Sequence, residues 1–268
     1  MRLVIVLIFG LVMLLPLVIM FSGSVQDISG IMRFPPRIIP KQVTMQNYGR
    51  ILKDAPILKW IFNTVVVVST GTVGCIIVSA MGGYYFARNK SKWAKLLYGL
   101  ILLTLMIPRQ AIIVPLFVTI VKIGLPMLIS AGLPAVYSPI GIIFYKTFIE
   151  SLPVELEEVA RLDGASTMRV LWSVYLPMST PVTGTIAIWT GCALTSDYIW
   201  QNLLFRQPKE MSLIVGILGQ AFKQSSSYMI NPIGMKLAAG VLMFAPLFLI
   251  FIFAQKYFTE GIQTGSLR

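Results

Sequence analysis

Six long apolar runs constrain this chain more than any other feature of its sequence. An apolar helix of about 20 residues crosses the hydrocarbon core of a bilayer, and a chain in lipid must pair its backbone groups internally. Runs of this length indicate helices, because a barrel strand would show alternation over about 10 residues. The sequence therefore predicts an all-α membrane protein whose residues 1–268 form a single transmembrane domain with six transmembrane helices. The predicted spans are Leu3–Phe21, Trp60–Phe86, Leu96–Val121, Ile123–Tyr145, Val182–Phe205 and Leu237–Ala254.

The composition excludes a soluble domain of this length, because 56% of the residues are hydrophobic and only 12% are charged. The first run, which follows Arg2, also fits a secretory signal peptide. Its nineteen residues from Leu3 to Phe21 exceed the usual hydrophobic region of such a peptide, and Ser22-Gly23-Ser24 is only a loose cleavage site. A retained first helix is therefore the expected outcome.

Several kinds of chemistry are missing from the sequence. Histidine is absent, and both cysteines, Cys75 and Cys192, fall inside predicted spans. No G-x-x-x-x-G-K phosphate loop occurs, so the chain is not expected to hydrolyse ATP. We therefore predict no catalytic residue, no metal site, no cofactor and no enzymatic activity. The net charge of +12 is scattered over loops that flank the spans, which favours the lipid bilayer over nucleic acid as its counterpart.

The second to fourth spans carry patterns of small residues and prolines. Small residues recur at every fourth position of the second span, which lets another helix backbone approach one face closely. These residues are Gly71, Cys75, Ser79 and Gly83. Prolines in the third and fourth spans remove backbone donors, so we expect bent or broken helices there, as along a translocation path. They are Pro108, Pro115, Pro126, Pro134 and Pro139.

The polar stretch of residues 150–181, which we call the 150–181 segment, joins the fourth and fifth spans. It holds five of the chain's ten carboxylates, all between Glu150 and Asp163. Basic residues in short loops mark the cytoplasmic side, and the tight cluster Arg88–Lys95 favours placing this segment in the cytoplasm. The stretch 22–59 then becomes an external loop, for which its prolines predict little regular structure.

Turn and cap residues predict a helix–turn–helix in this segment. Pro153 fits the first turn of a helix, and three glutamates follow it near the positive end of the helix dipole. Asp163-Gly164 offers the left-handed turn that ends this helix, and Ser166 or Thr167 can cap a second one. A loop resting on lipid would show the same amphipathic pattern, whereas Ala160 beside the glycine turn favours a protein partner with a concave surface.

These residues resemble the EAA loop of ATP-binding-cassette (ABC) importer permeases, whose pattern is E-A-A-x-x-D-G-A followed by L-P. They are Glu158-Val159-Ala160, Asp163-Gly164-Ala165, Leu176-Pro177 and Pro181. The rest of the chain resembles the second permease subunit of the carbohydrate-uptake group at Asn47-Tyr48, Phe62-Asn63-Thr64, Gly83-Tyr84, Ala87-Arg88, Met106-Ile107-Pro108, Pro115-Leu116 and Tyr257–Gly265. Val159 departs from the motif, and Thr195-Ser196-Asp197 stands where many relatives have Trp-Asn followed by Asp or Glu, which leaves the cargo open.

The resemblance implies the type I ABC importer permease fold and a subunit that couples closure of an ATPase to alternating access for sugars. It implies a second permease subunit in a heterodimer, a cytoplasmic ATPase dimer that binds ATP, and an extracellular or periplasmic solute-binding protein. It also implies a multi-pass protein of the prokaryotic cell (inner) membrane. In the cytoplasmic EAA coupling loop, residues 150–181, it assigns ATPase coupling to Glu157, Glu158, Ala160, Asp163, Gly164 and Ala165.

Polar and aromatic residues inside the spans are candidates for the cargo path. Charges at membrane depth usually face the bundle interior, so Arg109 and Asp197 are expected to form an ion pair, to line the cavity or to contact the other permease. Trp189, Tyr198 and Trp200 could stack on sugar rings, although aromatics at span ends are more often interface anchors. An ion-coupled secondary transporter is the alternative function, but Asp197 is the only carboxylate within a predicted span.

Overall fold

The computed structural model describes residues 2–31, 38–219 and 232–265, and within these ranges every regular element is a helix. The all-α prediction is confirmed. In chain order the helices are α1 (Arg2–Ser24), α2 (Ile28–Ile31), α3 (Gln46–Asp54), α4 (Ile57–Arg88), α5 (Lys92–Thr104), α6 (Arg109–Ile123), α7 (Met127–Val136), α8 (Pro139–Ser151), α9 (Glu155–Leu162), α10 (Thr167–Val170), a π-helical turn (Leu171–Tyr175), α11 (Leu176–Met178), α12 (Thr180–Ser196), α13 (Tyr198–Leu204), α14 (Leu213–Gly219) and α15 (Pro232–Gly265).

Some of the predicted spans are single helices and others are broken. Val6–Ser24 of α1 and the whole of α4 are each long and apolar enough to cross a bilayer. Two further pairs reach that length only together: α5 with α6, bent by 104°, and α7 with α8, bent by 49°. The described residues therefore offer up to four spans by length and composition, and the count of six stays a prediction.

Prolines account for both breaks. Pro108 has extended backbone angles of φ −64° and ψ 132° immediately before α6. A helix does not continue through this residue at low cost, because proline has no N–H to donate and its ring clashes with the preceding turn. Pro139 occupies the first turn of α8, where Ser138 Oγ accepts a hydrogen bond from Gly141 N. The third predicted span was expected to bend near its centre; the structure instead ends one helix and begins another.

The fifth predicted span and the predicted external loop also differ from expectation. The fifth span is interrupted at Asp197, which separates α12 from α13. The stretch 22–59 contains α2, α3 and the first residues of α4 as well as the end of α1, so it holds more helix than its prolines suggested. Asn47 Nδ2 donates to the carbonyls of Ser24 at 2.8 Å and Gln26 at 3.0 Å, which fixes α3 against the end of α1. Residues 32–37 of this loop lie outside the described residues.

Contacts divide the chain into two compact units, the first comprising Met1–Asn63 and Phe205–Phe248. In this unit Trp60 and Asn63 hold the stretch that follows α13. Trp60 Nε1 donates to Pro208 O at 2.7 Å, and Asn63 Nδ2 donates to Met211 O at 2.9 Å. Both side chains are buried, so these hydrogen bonds satisfy polar atoms that would otherwise lack a partner.

The second unit comprises Thr64–Leu204 and Leu249–Arg268 and contains the 150–181 segment. Its helices pack through the predicted small-residue face of α4. A Cβ added at Gly71 would lie 2.8 Å from the carbonyl oxygen of Gly132 in α7, and one added at Gly83 would lie 2.8 Å from Lys146 N in α8. Backbone contacts this close leave no room for a side chain, so the predicted packing face is confirmed.

Candidate functional site

The 150–181 segment folds as a helix, a glycine turn and a second helical stretch. After α9 the chain turns at Gly164, whose φ is +79°. The N–H groups of Gly164 and Ala165 donate to the carbonyls of Arg161 and Ala160 at 3.0 Å each. Together these bonds form a Schellman motif, which needs a residue that tolerates positive φ. The predicted left-handed turn is confirmed.

The second helical stretch begins at the predicted serine cap. Ser166 Oγ accepts a hydrogen bond from Arg169 N at 3.4 Å, and α10, the π-helical turn and α11 follow one another directly. Val170 and Leu171 are fully buried. The π-helical turn was not predicted; such turns are rare and occur frequently at functional sites. It ends at Tyr175, which is also fully buried.

An apolar cluster supports the segment from beneath. Its members come from α4, α8, the second helical stretch and α12, and they are Cys75, Ala80, Tyr84, Ala87, Tyr145, Ile149, Val170, Leu171, Tyr175 and Ile186. Ala160 and Ala165, which flank the glycine turn, pack against this cluster. The segment is therefore seated on the ends of transmembrane helices through small side chains, and its position depends on theirs.

Glu157 is the centre of a polar cluster that ties α9 to α4 and to the second helical stretch. Its Oε1 accepts hydrogen bonds from Tyr84 Oη at 2.9 Å and from Arg161 Nη2 at 2.7 Å, and its Oε2 accepts one from Tyr175 Oη at 3.2 Å. Arg88 Nε lies 3.5 Å from Oε2 and donates to Tyr175 Oη at 3.0 Å. We call these five residues the Glu157 cluster.

The cluster stabilises the ionised carboxylate. Burial acts to raise the pKa of the Glu157 carboxyl, but the hydrogen bonds from Arg161, Tyr84 and Tyr175 together with the charge of Arg161 outweigh it, so the pKa lies below 4.5. Glu157 is therefore an anion at neutral pH. A buried carboxylate with this many donors is held in one place, because moving it would leave the donors unpaired.

The outer side of the same segment exposes large apolar side chains. Leu162 is 87% exposed, Val159 59%, Met168 50% and Trp172 41%. We call these four the outer apolar residues. They surround the glycine turn in sequence, in a segment rich in charges. Exposed apolar side chains in a polar element are candidates for contact with another protein or with lipid.

The six residues assigned to coupling differ in their exposure to solvent. Glu158, Asp163 and Gly164 are exposed, whereas Ala160 and Ala165 are half-buried and Glu157 is buried. Direct contact of the Glu157 carboxylate with an ATPase is therefore not available in this structure. Its hydrogen bonds tie α9 to α4 and to the second helical stretch, and its coupling role stays a prediction.

The structure pairs the two charged candidates of the spans and gives the three aromatic candidates different exposures. Arg109 Nη2 lies 2.9 Å from Asp197 Oδ2, an ion pair that joins α6 to the break after α12. Trp189 is 65% exposed and Tyr198 is half-buried, so both remain candidates for stacking. Trp200 is only 2% exposed, because its ring packs inside the protein. The stacking role of all three aromatic side chains stays a prediction.

Sequence reasoning gave no coupling role to four members of the Glu157 cluster. Two helical pairs were visible, since Glu157 and Arg161 stand four residues apart, as do Tyr84 and Arg88. Nothing in the sequence joins the two pairs, which are separated by 73 residues between Tyr84 and Glu157. Tyr175 gave no signal in the sequence. Within the described part of the chain, no group of three or more His, Cys, Asp or Glu side chains could hold a metal ion.

Comparison with known proteins identifies the family of this chain and two related proteins. Residues 79–264, well over half of it, match the family described as binding-protein-dependent transport system inner membrane component. The chain is 26% identical to the arabinooligosaccharides transport system permease protein AraQ of Bacillus subtilis, over 97% of this chain and 92% of that protein. It is 27% identical to the sn-glycerol-3-phosphate transport system permease protein UgpE of Yersinia enterocolitica, over 96% of this chain and 94% of that protein.

The fold has a counterpart among solved structures. A chain in the crystal structure of a bacterial ABC transporter involved in the import of the acidic polysaccharide alginate superposes with a TM-score of 0.79 and 24% identity, covering 96% of this chain and 95% of that one. This agreement confirms the permease fold that the EAA-like motif implied. The chain therefore belongs to the family of inner membrane components of binding-protein-dependent transport systems, and it is a membrane permease subunit of an ABC importer that works with ATPase and solute-binding partners.

Proposed function

We propose that this chain is one half of a permease heterodimer that imports a sugar or sugar derivative, and that the 150–181 segment docks into a cleft of a cytoplasmic ATPase dimer. The outer apolar residues carry this proposal. Leu162 is 87% exposed beside a rigid glycine turn, and leaving such a side chain in water is unfavourable unless a partner covers it. Exposed Glu158 and Asp163 then form a polar rim around the contact.

The Glu157 cluster transmits the motion of the docked segment. When the ATPase subunits close, α9 moves with them, and the hydrogen bonds of Glu157 to Tyr84 and Tyr175 carry the displacement to α4 and to the start of α12. A network of buried charged hydrogen bonds suits this task, because it resists being pulled apart more strongly than a loose apolar contact. This chain contributes the transport path and the 150–181 segment that transmits the motion, while ATP is bound and hydrolysed by the partner subunits.

The names of related permeases support a proposal for the class of cargo. The names of the related permeases include arabinooligosaccharides and sn-glycerol-3-phosphate. We therefore propose carbohydrates or polyol derivatives as the cargo class, delivered by an external solute-binding protein to a multi-pass permease pair. Trp189 and Tyr198 are the aromatic side chains that this proposal assigns to contact with sugar rings.

The Gly164→Val variant tests the docking proposal. A non-glycine residue at left-handed φ costs about 1–2 kcal/mol, and a β-branched residue costs more. A Cβ at Gly164 meets no atom within 4 Å, so the substitution strains the turn without a clash. We expect the variant to insert normally into the membrane and to lose the coupling of ATP hydrolysis to uptake, measured in proteoliposomes with labelled arabinotriose, maltotriose and sn-glycerol 3-phosphate as probes.

Gly124→Val is the matched control. Gly124 has a φ of +72° and equally open surroundings, but it lies in the turn between α6 and α7. This variant should keep ATPase subunits bound to the complex as the wild type does, whereas Gly164→Val should weaken their co-purification. Normal uptake by a well-expressed Gly164→Val complex would refute the proposed docking role.

A further inference from the structure

A basic pocket lies beside the α4–α5 connection, away from the Glu157 cluster. Its volume is about 180 Å³. Phe86, Asn89, Lys90, Ala94, Lys95, Tyr98, Lys146 and Glu150 line it. Three ammonium groups and one carboxylate give this lining a net positive charge. Neither the docking proposal nor the cargo path uses it.

Ion pairs and an aromatic ring hold the cations around the pocket. Glu150 Oε1 lies 3.2 Å from Lys90 Nζ, and Oε2 lies 2.8 Å from Lys146 Nζ. Lys146 Nζ also lies 4.9 Å from the centre of the Tyr98 ring, within range of a cation–π contact. One carboxylate therefore positions two ammonium groups and neutralises only one charge. Lys95 is exposed at the rim and appears in no ion pair of the described residues.

The helix that lines the pocket also exposes apolar side chains. The pocket lies at the first turn of α5, and the following turns expose Leu96 by 54%, Leu100 by 51% and Leu103 by 57%. Trp93, 74% exposed in the first turn, has the amphipathic ring that anchors helices at the membrane interface. The same helix thus presents cations at one end and a leucine face beyond it.

We propose that this pocket binds the phosphate of an anionic phospholipid, with the acyl chains entering the bilayer beside α5. Basic pockets at the cytoplasmic ends of transmembrane helices bind acidic lipid headgroups. The exposed Trp93 places the pocket at the membrane interface, where the phosphates of lipids lie, and this position favours a lipid over a soluble anion. A protein partner would not require a cavity at the membrane boundary. The bound lipid would bridge α5 and α8 immediately before the 150–181 segment begins.

Lipid binding by the purified complex tests the proposal. We expect native mass spectrometry to show one more phosphatidylglycerol retained per chain than phosphatidylcholine under the same conditions. Replacing Lys90, Lys95 and Lys146 together by glutamine should lower the affinity for phosphatidylglycerol about ten-fold or more. The single variant Lys95→Gln, which leaves the ion pairs of Glu150 intact, should lower it by a smaller but measurable factor, and it serves if the triple variant folds poorly.

The matched control replaces Lys41, Lys53 and Lys209, three exposed lysines elsewhere in the chain, by glutamine. It removes the same total charge and should leave phosphatidylglycerol binding unchanged. Equal retention of the lipid by the pocket variants and the wild type would overturn the proposal. So would displacement of the lipid by inorganic phosphate at equal concentration, which would identify a soluble anion site. Loss of ATPase subunits from the pocket variants with lipid binding intact would instead identify a protein contact.

Discussion

Replacing Glu157 by glutamine should release the 150–181 segment from α4 without altering its shape. Glutamine has nearly the same volume, but it removes the charge that Arg88, Arg161 and the two tyrosines share. Hydrogen bonds to charged groups contribute about 1.5–3 kcal/mol and neutral ones about 0.5–1.5 kcal/mol. Glu157 accepts one hydrogen bond from each tyrosine and two from Arg161, and each of the tyrosine bonds would weaken by about 1 kcal/mol. The Arg161 side chain is 47% exposed, so solvent screens its contribution to this stabilisation. The expected total loss of stabilisation is about 2–3 kcal/mol.

Amide hydrogen exchange of residues 155–165 measures this loss. Exchange in a locally opening helix follows the population of the open state, so about 2–3 kcal/mol corresponds to exchange about 30- to 150-fold faster. The exposed neighbour supplies the control, since Glu158→Gln should change the rate less than about two-fold. Exchange in Glu157→Gln that matches the wild type would refute the view that this carboxylate holds the segment.

The same cluster predicts a pH dependence. The pKa of Glu157 is lowered in the folded protein, so its stabilisation is complete above the ordinary value of 4.5 and is lost as the pH falls through the lower folded value. Exchange of the wild type, corrected for the intrinsic rate, should therefore stay constant from about pH 8 to about pH 5 and approach that of Glu157→Gln only below 4.5. A transition near neutral pH would contradict the assignment.

Three further predictions concern the docking face, the ion pair and the helix packing. Leu162→Asp should abolish co-purification of ATPase subunits. The control Ile39→Asp changes a residue that is 82% exposed in the predicted external loop, and it should leave co-purification unchanged. Equal binding of ATPase subunits by both variants would refute the docking face. Asp197→Arg should lower the yield of monodisperse protein in size-exclusion chromatography, and combining it with Arg109→Asp should restore the yield if the ion pair stabilises the helices. Gly132→Val should prevent folding in the membrane, because its Cβ would meet backbone atoms of α4 at 2.8 and 2.9 Å; a protease-resistant variant would contradict this contact.

The sequence by itself determined the helical class, the coupling motif and its turn. Apolar runs in lipid must form helices because unpaired backbone groups are too costly there. Gly164 likewise indicated a left-handed turn, because few other residues adopt that conformation at low energetic cost. The small-residue face of α4 was equally readable, because a four-residue spacing fixes one side of a helix. These properties depend on residues close together in the chain.

Only the tertiary structure decided which side of α9 faces inward. By composition Glu157 belongs with its exposed neighbour Glu158, and the apolar Val159 and Leu162 would be expected to point away from water. The structure reverses this arrangement, with Glu157 buried and Leu162 87% exposed. A carboxylate can be buried only where donors surround it. Besides Arg161 of the same helix, the donors to Glu157 are Tyr84 of α4 and Tyr175 of the π-helical turn, both distant in sequence. Local patterns cannot reveal partners that the fold alone brings together.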